Sequence, residues 1–167
     1  KKSIKFLKET LNIKPKNILD LACGTGLFGI ELKKIYPKSN IYGSDISKKS
    51  LKISSGKKIY IKLKNKNFEE LHYFNTKFDL ISLIGSMTYC KNFKKLFANI
   101  NKNIKKKGFV LFTHRVDLWK QQDFFNILTT YQKTFKITKI SRPLNYLPLN
   151  KDFKNKIKIK IVLLQKY

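Results

Sequence analysis

The sequence predicts an α/β fold: a doubly wound, mostly parallel sheet of seven strands with helices on both faces and an antiparallel C-terminal hairpin. Three observations carry this expectation. Short apolar runs bounded by turn residues alternate with stretches of helical spacing along the chain. A glycine turn, Gly24-Thr25-Gly26, stands between the first apolar run and the first central helix. The last two strand-like runs are joined by a link that contains Pro143 and Pro148, too short for a crossover helix, so they pair antiparallel.

Lys1 to Leu11 reads as an amphipathic helix with Ile4, Leu7 and Leu11 on one stripe, ended by Asn12 and Pro15. Asn17 to Ala22 is a buried strand, and Leu27 to Tyr36 carries helical spacing through Leu27, Ile30 and Leu32. A strand over 40–44, a helix over 47–54, a strand over 58–63, an irregular link over 67–75 and a strand over 78–83 follow. The helix at 92–104 brings Phe93, Leu96, Phe97, Ile100 and Ile104 to one face, and Gly108 opens a strand at 109–113. Asp117 is read as the cap of a helix reaching about Thr130. Strands near 134–141 and 156–164 close the chain. Lys156 to Ile161 alternates lysine with isoleucine, which gives that strand one wet face. Lys58 to Lys64 alternates similarly and is placed at the opposite edge of the sheet, where lysines discourage strand addition.

A chain of 167 residues, 42% hydrophobic and 13% aromatic, can bury one sizeable core, which argues against disorder and for a single domain over 1–167. Within it 1–14 forms the N-terminal helix, 17–113 the central core, and 114–167 the last helix and hairpin. No apolar run is long enough for a membrane span, and the lysine-rich start lacks the apolar stretch of a signal peptide. A soluble, cytoplasmic protein is expected. Cys23 and Cys90 lack metal-ligand spacing, so no metal is expected and a reducing compartment is the simpler reading.

The net charge of +27 raises the question of a nucleic-acid partner. All of the 37 basic residues except Arg115 and Arg142 are lysines, spread along the chain among many Asn, Ile, Phe and Tyr, residues with A- and T-rich codons. Genome composition therefore accounts for the lysines at least as well as phosphate binding, which favours local arginine clusters. Nucleic acid stays a less favoured partner than a small molecule, anionic ones included, since such molecules would be steered toward this surface.

The run from Ile18 to Gly26 joins a strand to a glycine turn with one carboxylate, Asp20, just before the bend. Such a turn lets a ligand approach the backbone at a helix start. Gly24, Gly26 and Gly29 also meet the spacing of a dinucleotide site, with Asp45 about twenty residues on, so a nicotinamide cofactor is in contention. Asp20 separates the two, because its charge would repel a pyrophosphate and attract an ammonium or sulfonium. On Asp20, Ala22, Gly24 and Gly26 the chain resembles the class I, Rossmann-like S-adenosylmethionine-dependent methyltransferases, whose first motif runs acidic–x–Gly/Ala–x–Gly–x–Gly; Ala22 stands where glycine is commoner. The resemblance implies S-adenosyl-L-methionine as cofactor, S-adenosyl-L-homocysteine as product, and a cradle that includes Thr25. Asp45 and the following Ile46 would hold the ribose, although Asp45 also has the position of a helix cap. Asn67 and Phe68 match the adenine-holding segment, with Asn67 where aspartate is more usual, and Ile84 and Gly85 would pass beneath the methionine portion. The Asn/Asp-Pro-Pro-aromatic tetrad of amino-methylating relatives that act on bases is absent after Leu83.

Around the predicted mouth, Tyr89 and His114 are candidate catalytic residues, and Arg115 and Tyr89 candidate acceptor ligands. His114 has the chemistry of a general base near neutral pH, and Arg115 that of a carboxylate or phosphate ligand. A strand-end histidine is also commonly an ordinary capping residue, and His72 is read as structural. Methyl transfer to an unidentified small metabolite leads. Methylation of RNA or protein follows if lysines cluster around Gly85 and His114, and a nicotinamide-dependent oxidoreductase or a non-catalytic nucleotide-binding domain comes last.

Overall fold

A computed structural model of the chain describes residues 2–70, 74–146 and 156–167. His72 and Pro148 lie outside the described residues. Five parallel strands, β1 (Asn17–Leu21), β2 (Asn40–Asp45), β3 (Tyr60–Asn65), β4 (Phe78–Leu83) and β5 (Ile104–Arg115), form most of one sheet. β6 (Phe135–Ile140) and the two-residue β7 (Leu144–Asn145) both pair antiparallel with β8 (Lys158–Lys166), which pairs antiparallel with β5. The order is β3-β2-β1-β4-β5-β8-β6, with β7 beside β8. The predicted seven strands are all present, and β7 is an addition too short to leave a pattern in sequence. Between β1 and β4 the order reverses direction, and the crevice at their carboxyl ends is where such sheets take ligands.

Alternation along the strands divides the core. Leu19, Leu21, Ile81, Leu83, Val110 and Phe112 face one side with Leu96, Phe97 and Ile100 of α4 (Phe93–Asn103). Ile18, Ile41, Leu80 and Leu111 face the other side with Ile4, Phe6 and Leu7 of α1 (Lys2–Thr10) and Leu32 of α2 (Leu27–Ile35). Each such side chain taken from water contributes about 2 kcal/mol. Caps also follow the residue chemistry: Ser47 accepts from Ser50 N–H at the start of α3 (Lys48–Gly56), and Asn92 accepts from Lys95 N–H at the start of α4.

Several sequence expectations are corrected. β8 lies between β5 and β6, so Lys156 to Ile161 does not mark an edge; the strand turns from alternating to continuously buried at Ile161–Leu164 because both of its faces are covered. β3 is an edge as expected, but it starts at Tyr60, since Lys58 takes the left-handed conformation with φ 53°. β5 begins at Ile104, directly after α4, and carries His114 and Arg115 within the strand rather than beyond it. The expected single helix from Asp117 is two short ones, α5 (Val116–Gln121) and α6 (Phe124–Thr130), broken at Asp123 with φ 46°. Asp117 belongs to the first turn of α5 and its carboxylate pairs with Arg115, so it is not the residue that caps the helix.

Candidate cofactor and acceptor site

β1 ends where three residues in five take left-handed backbone: Ala22 (φ 52°), Gly24 (φ 53°) and Gly26 (φ 84°). Glycine adopts this conformation without the clash a side chain brings, which is the reason for the spacing at 24 and 26. The turn is tied to β2 by Cys23 N–H donating to Ser44 O at 2.9 Å and Gly24 N–H donating to Asp45 Oδ2 at 2.8 Å. Nothing lies within 4 Å of where a Cβ on Gly24 would project, so the space above the turn is open. α2 starts directly after Gly26 with no side-chain cap.

Asp45 ends β2 and is 9% exposed. Its Oδ2 accepts from Gly24 N–H and its Oδ1 from Ser47 N–H, both at 2.8 Å, so it ties the glycine turn to the end of β2, while the helix cap that the alternative reading assigned to it is Ser47. A carboxylate oxygen has a second lone-pair site, so both oxygens can still accept from a ligand diol. Asn65 at the end of β3 donates to the carbonyls of Asp45 and Ile46, and Ile46 presents an apolar side chain that is 71% exposed. Asn67 Oδ1 accepts from Glu69 N–H at 3.0 Å in a local side-chain turn, and Phe68 O accepts from Asn99.

Asp20 is 1% exposed and lies below the turn. Its Oδ1 accepts from Ser82 Oγ and its Oδ2 from Tyr60 Oη, both at 2.8 Å. Burial pushes its carboxyl up to about 6; the Ser82 and Tyr60 hydrogen bonds pull it down and Asp45 pushes it further up. Burial, with Asp20 and Asp45 nearby, pushes the Cys23 thiol up to about 12, so that sulfur stays protonated and inert.

Beyond Leu83 the chain passes through Gly85, with φ 82°, whose N–H donates to Thr113 Oγ1 at 2.8 Å. Past this contact a cleft of ≈ 280 Å³ opens, lined by Gly85, Thr88, Tyr89, Thr113, Arg115 and Tyr146 together with Ile157 and Ile159. Tyr89, on a single turn of 3₁₀ helix, is 74% exposed at its rim. Arg115 is bound by Asp117 through Nε at 3.0 Å and through Nη2. Tyr89, Arg115 and Gly85 are therefore brought together. His114 is not: successive residues of a strand point to opposite faces, and while Thr113 and Arg115 face the cleft, His114 faces α5 and α6. There it is 1% exposed, 4.5 Å from the Phe124 ring and bound through Nε2 to Gln122 Oε1 at 3.0 Å. Burial lowers its pKa, against smaller upward pulls from Gln122 and Asp117.

Sequence reasoning missed Tyr60, Ser82, Thr113 and Tyr146. Ser82 left a faint signal, a hydroxyl inside an apolar strand level with Asp20. Tyr60 left none, because its reach across β2 to β1 is a tertiary fact.

A model of the methyltransferase domain family matches residues 1–132. Among curated proteins, a malonyl-[acyl-carrier protein] O-methyltransferase of Legionella pneumophila is 29% identical over 106 residues, covering 62% of this chain and 37% of that protein. Malonyl-[acyl-carrier protein] O-methyltransferase 2 of Ilyobacter polytropus is 34% identical over 104 residues, covering 58% of this chain and 38% of its own. The chain thus spans well under half the length of these relatives. Among solved structures, the plantazolicin methyltransferase BpumL, crystallised with SAH and a desmethylPZN analog, superposes with a TM-score of 0.76 at 14% identity, over 99% of this chain and 83% of that one. The N-methyltransferase NodS of Bradyrhizobium japonicum gives 0.72 at 12% identity, over 99% and 94%. These likenesses are of fold, and the family match over residues 1–132 spans the glycine turn, Asp45, Gly85 and Arg115 alike: the chain belongs to the methyltransferase domain family.

Proposed function

We propose that this domain binds S-adenosyl-L-methionine over the turn at Gly24–Gly26 and methylates a small acceptor held in the Tyr89–Arg115 cleft. One observation carries the reading: the open space above the Asp45-tied turn lies at the end of β1, and the neighbouring strand β4 runs on through Gly85 into the lining of an acceptor-sized cleft. Both curated relatives are named as O-methyltransferases acting on malonyl-[acyl-carrier protein], and BpumL is seen with SAH.

The cofactor supplies an already activated methyl carbon on a sulfonium, so the protein's work is alignment and exclusion of water. In this reading Asp45 accepts the two ribose hydroxyls on its remaining lone pairs, and Ile46 covers the sugar and base. Ala22 and Thr25 shape the turn around the methionine portion, and Ile84 and Gly85 pass their backbone beneath it. Asn67 offers its amide oxygen to the adenine amino group once its local turn opens, and Phe68 N–H serves the ring. Asp20 acts from below, favouring the positive ammonium and sulfonium groups. Arg115 retains three of its five N–H donors after Asp117 is served, enough to hold one carboxylate or phosphate on the acceptor. Tyr89 orients the attacking oxygen or nitrogen. A base role for His114 would require its ring to leave Gln122 and Phe124, so the reading gives the acceptor's proton to solvent at the open cleft. Among the described residues lining the cleft, Arg115, already ion-paired, is the one basic group, and this supports a small acceptor over a nucleic acid.

Thermal shift with S-adenosylmethionine, S-adenosylhomocysteine and NAD tests the assignment. A ligand at about 100 times its dissociation constant adds about 2.7 kcal/mol to stability, which for a domain of this size is a rise of roughly 5–10 °C. Both sulfur nucleotides are expected to give the rise and NAD none. Asp45→Ala and Gly24→Val are expected to abolish it in folded protein. A rise with NAD alone would transfer the site to the oxidoreductase reading.

A further inference from the structure

Ten acidic residues serve a chain of 37 basic ones, yet among the described residues no cation pairs with the two carboxylates buried at the proposed cofactor site. The ion pairs of the described residues join Lys5 to Glu9, Lys34 to Glu31, Lys66 to Glu70, Lys105 to Asp79 and Arg115 to Asp117. Asp20 and Asp45 are in none of them. A buried charge without a partner is costly, and the protein here compensates with hydroxyls and N–H groups alone.

The arrangement that holds Asp20 is built from glycines. Tyr60, on the edge strand β3, lays its ring across β2 to reach β1. A Cβ on Gly43 of β2 would stand 2.9 Å from Tyr60 Cδ1 and Cε1. One on Gly26, at the start of α2, would stand 3.1 Å from Tyr60 Cε2, and one on Gly29 would stand 2.6 Å from Cζ and overlap the hydroxyl. Three glycines from two elements thus form a slot for one ring, and the ring ends in a hydroxyl that donates to Asp20 Oδ2 at 2.8 Å. Packing alone would be served by phenylalanine. The hydroxyl, opposite the one from Ser82, adds a second donor to a carboxylate below the ligand's turn.

We propose that Tyr60 is a positioning residue for the cofactor, whose hydroxyl keeps the Asp20 carboxylate oriented and charged beneath the glycine turn so that the site selects a positively charged sulfonium amino acid. The proposal rests on the function proposed above and adds to it the residue that sets the charge of the site. The groups facing Asp20 are Tyr60 from β3, Ser82 from β4, Cys23 from the turn and Asp45 from β2, while Gly29 of α2 and Gly26 just before it lie against the Tyr60 ring. Cys23 is neutral and Asp45 opposes a second negative charge, so the two hydroxyls are what favours ionised Asp20. The Tyr60 hydroxyl, its own ionisation suppressed by burial and by Asp20, remains a donor throughout.

The experiment is calorimetric titration of S-adenosylmethionine and S-adenosylhomocysteine into the full chain between about pH 5.5 and 8.5, for the unaltered protein, Tyr60→Phe, Ser82→Ala and Asp20→Asn. Tyr60→Phe retains the ring in its slot, and a melting curve establishes that it folds. Losing one hydrogen bond to a carboxylate raises its pKa by about one unit, a factor of ten in protonation. Tyr60→Phe is therefore expected to bind S-adenosylmethionine about threefold more weakly near pH 6.5, approaching tenfold toward pH 5.5, and as tightly as the unaltered protein near pH 8.5. Ser82→Ala follows the same course. Asp20→Asn is weak at every pH and loses more affinity for the sulfonium than for the uncharged thioether. An equal loss at every pH in Tyr60→Phe, or no loss, overturns the proposal. Failure of the unaltered protein to bind either sulfur nucleotide overturns the proposed function instead.

Discussion

A carboxyl group 1% exposed, beside a second carboxylate and with no cation paired to it among the described residues, prefers to keep its proton, and burial accordingly pushes Asp20 up to about 6 from the ordinary 3.8. Because the folded chain then binds this proton more tightly than the unfolded one, the contribution to stability is favourable at low pH. It is lost as pH rises from about 4 to about 6, amounting to about 3 kcal/mol at most. Asp20→Asn, close to it in shape, is expected to raise the melting temperature of the ligand-free protein at pH 7.5 by several degrees and to weaken cofactor binding. Differential scanning calorimetry with and without S-adenosylhomocysteine checks both. His114 has the opposite sign: its lowered pKa means that stability is present above about pH 6.5 and lost as the unfolded histidine takes up its proton below that. His114→Gln is expected to reduce acid sensitivity between pH 6.5 and 5 and to leave S-adenosylhomocysteine affinity unchanged, since the ring faces α5 and α6 rather than the cleft.

Among elements, α2, β2 and β3 meet closely, because the first two approach the Tyr60 ring of β3 through glycine. The two turn glycines and the helical one are therefore unequal. Gly24→Ala adds a methyl where nothing lies within 4 Å and is strained only by φ 53°, a cost of about 1–2 kcal/mol. Gly29→Ala drives a methyl into the Tyr60 hydroxyl and must break its bond to Asp20, so it is expected to cost more, about 3 kcal/mol, and to bring the pH signature of Tyr60→Phe with it. Urea titration of the two variants orders them; equal losses would mean that the ring is free to move aside. The break at Asp123, which turns one expected helix into α5 and α6, lets Trp119 and Phe124 both close over His114, with ring centroids 4.9 Å apart.

Over the whole molecule, a net charge of +27 on 167 residues makes the folded state repel itself. Salt screens exposed charges beyond about 10 Å at 0.1 M. Raising sodium chloride from about 0.05 to 0.5 M is therefore expected to raise the melting temperature, and a fall would show that ion pairs outweigh the repulsion. Among the described residues no helix is long and apolar enough to cross a membrane. Among the described residues that line the cleft, Arg115 is the one basic group, and it is paired with Asp117.

What the sequence determined by itself was local and periodic. The alternation of runs predicted the parallel sheet, the close final strands predicted an antiparallel ending, and the spacing of Asp20, Gly24, Gly26 and Asp45 located the turn, because strand pleat, helix period and left-handed backbone are properties of a few adjacent residues. The tertiary structure alone decided that β8 is interior, since strand order depends on long-range pairing that leaves no spacing signal. It also decided which strand-end residues share a cleft, separating His114 from Thr113 and Arg115 by the pleat once β5 proved to extend through all three. Finally, it decided what Asp20 touches: a hydroxyl forty positions away reaches that carboxylate only because folding lays three glycines around one ring.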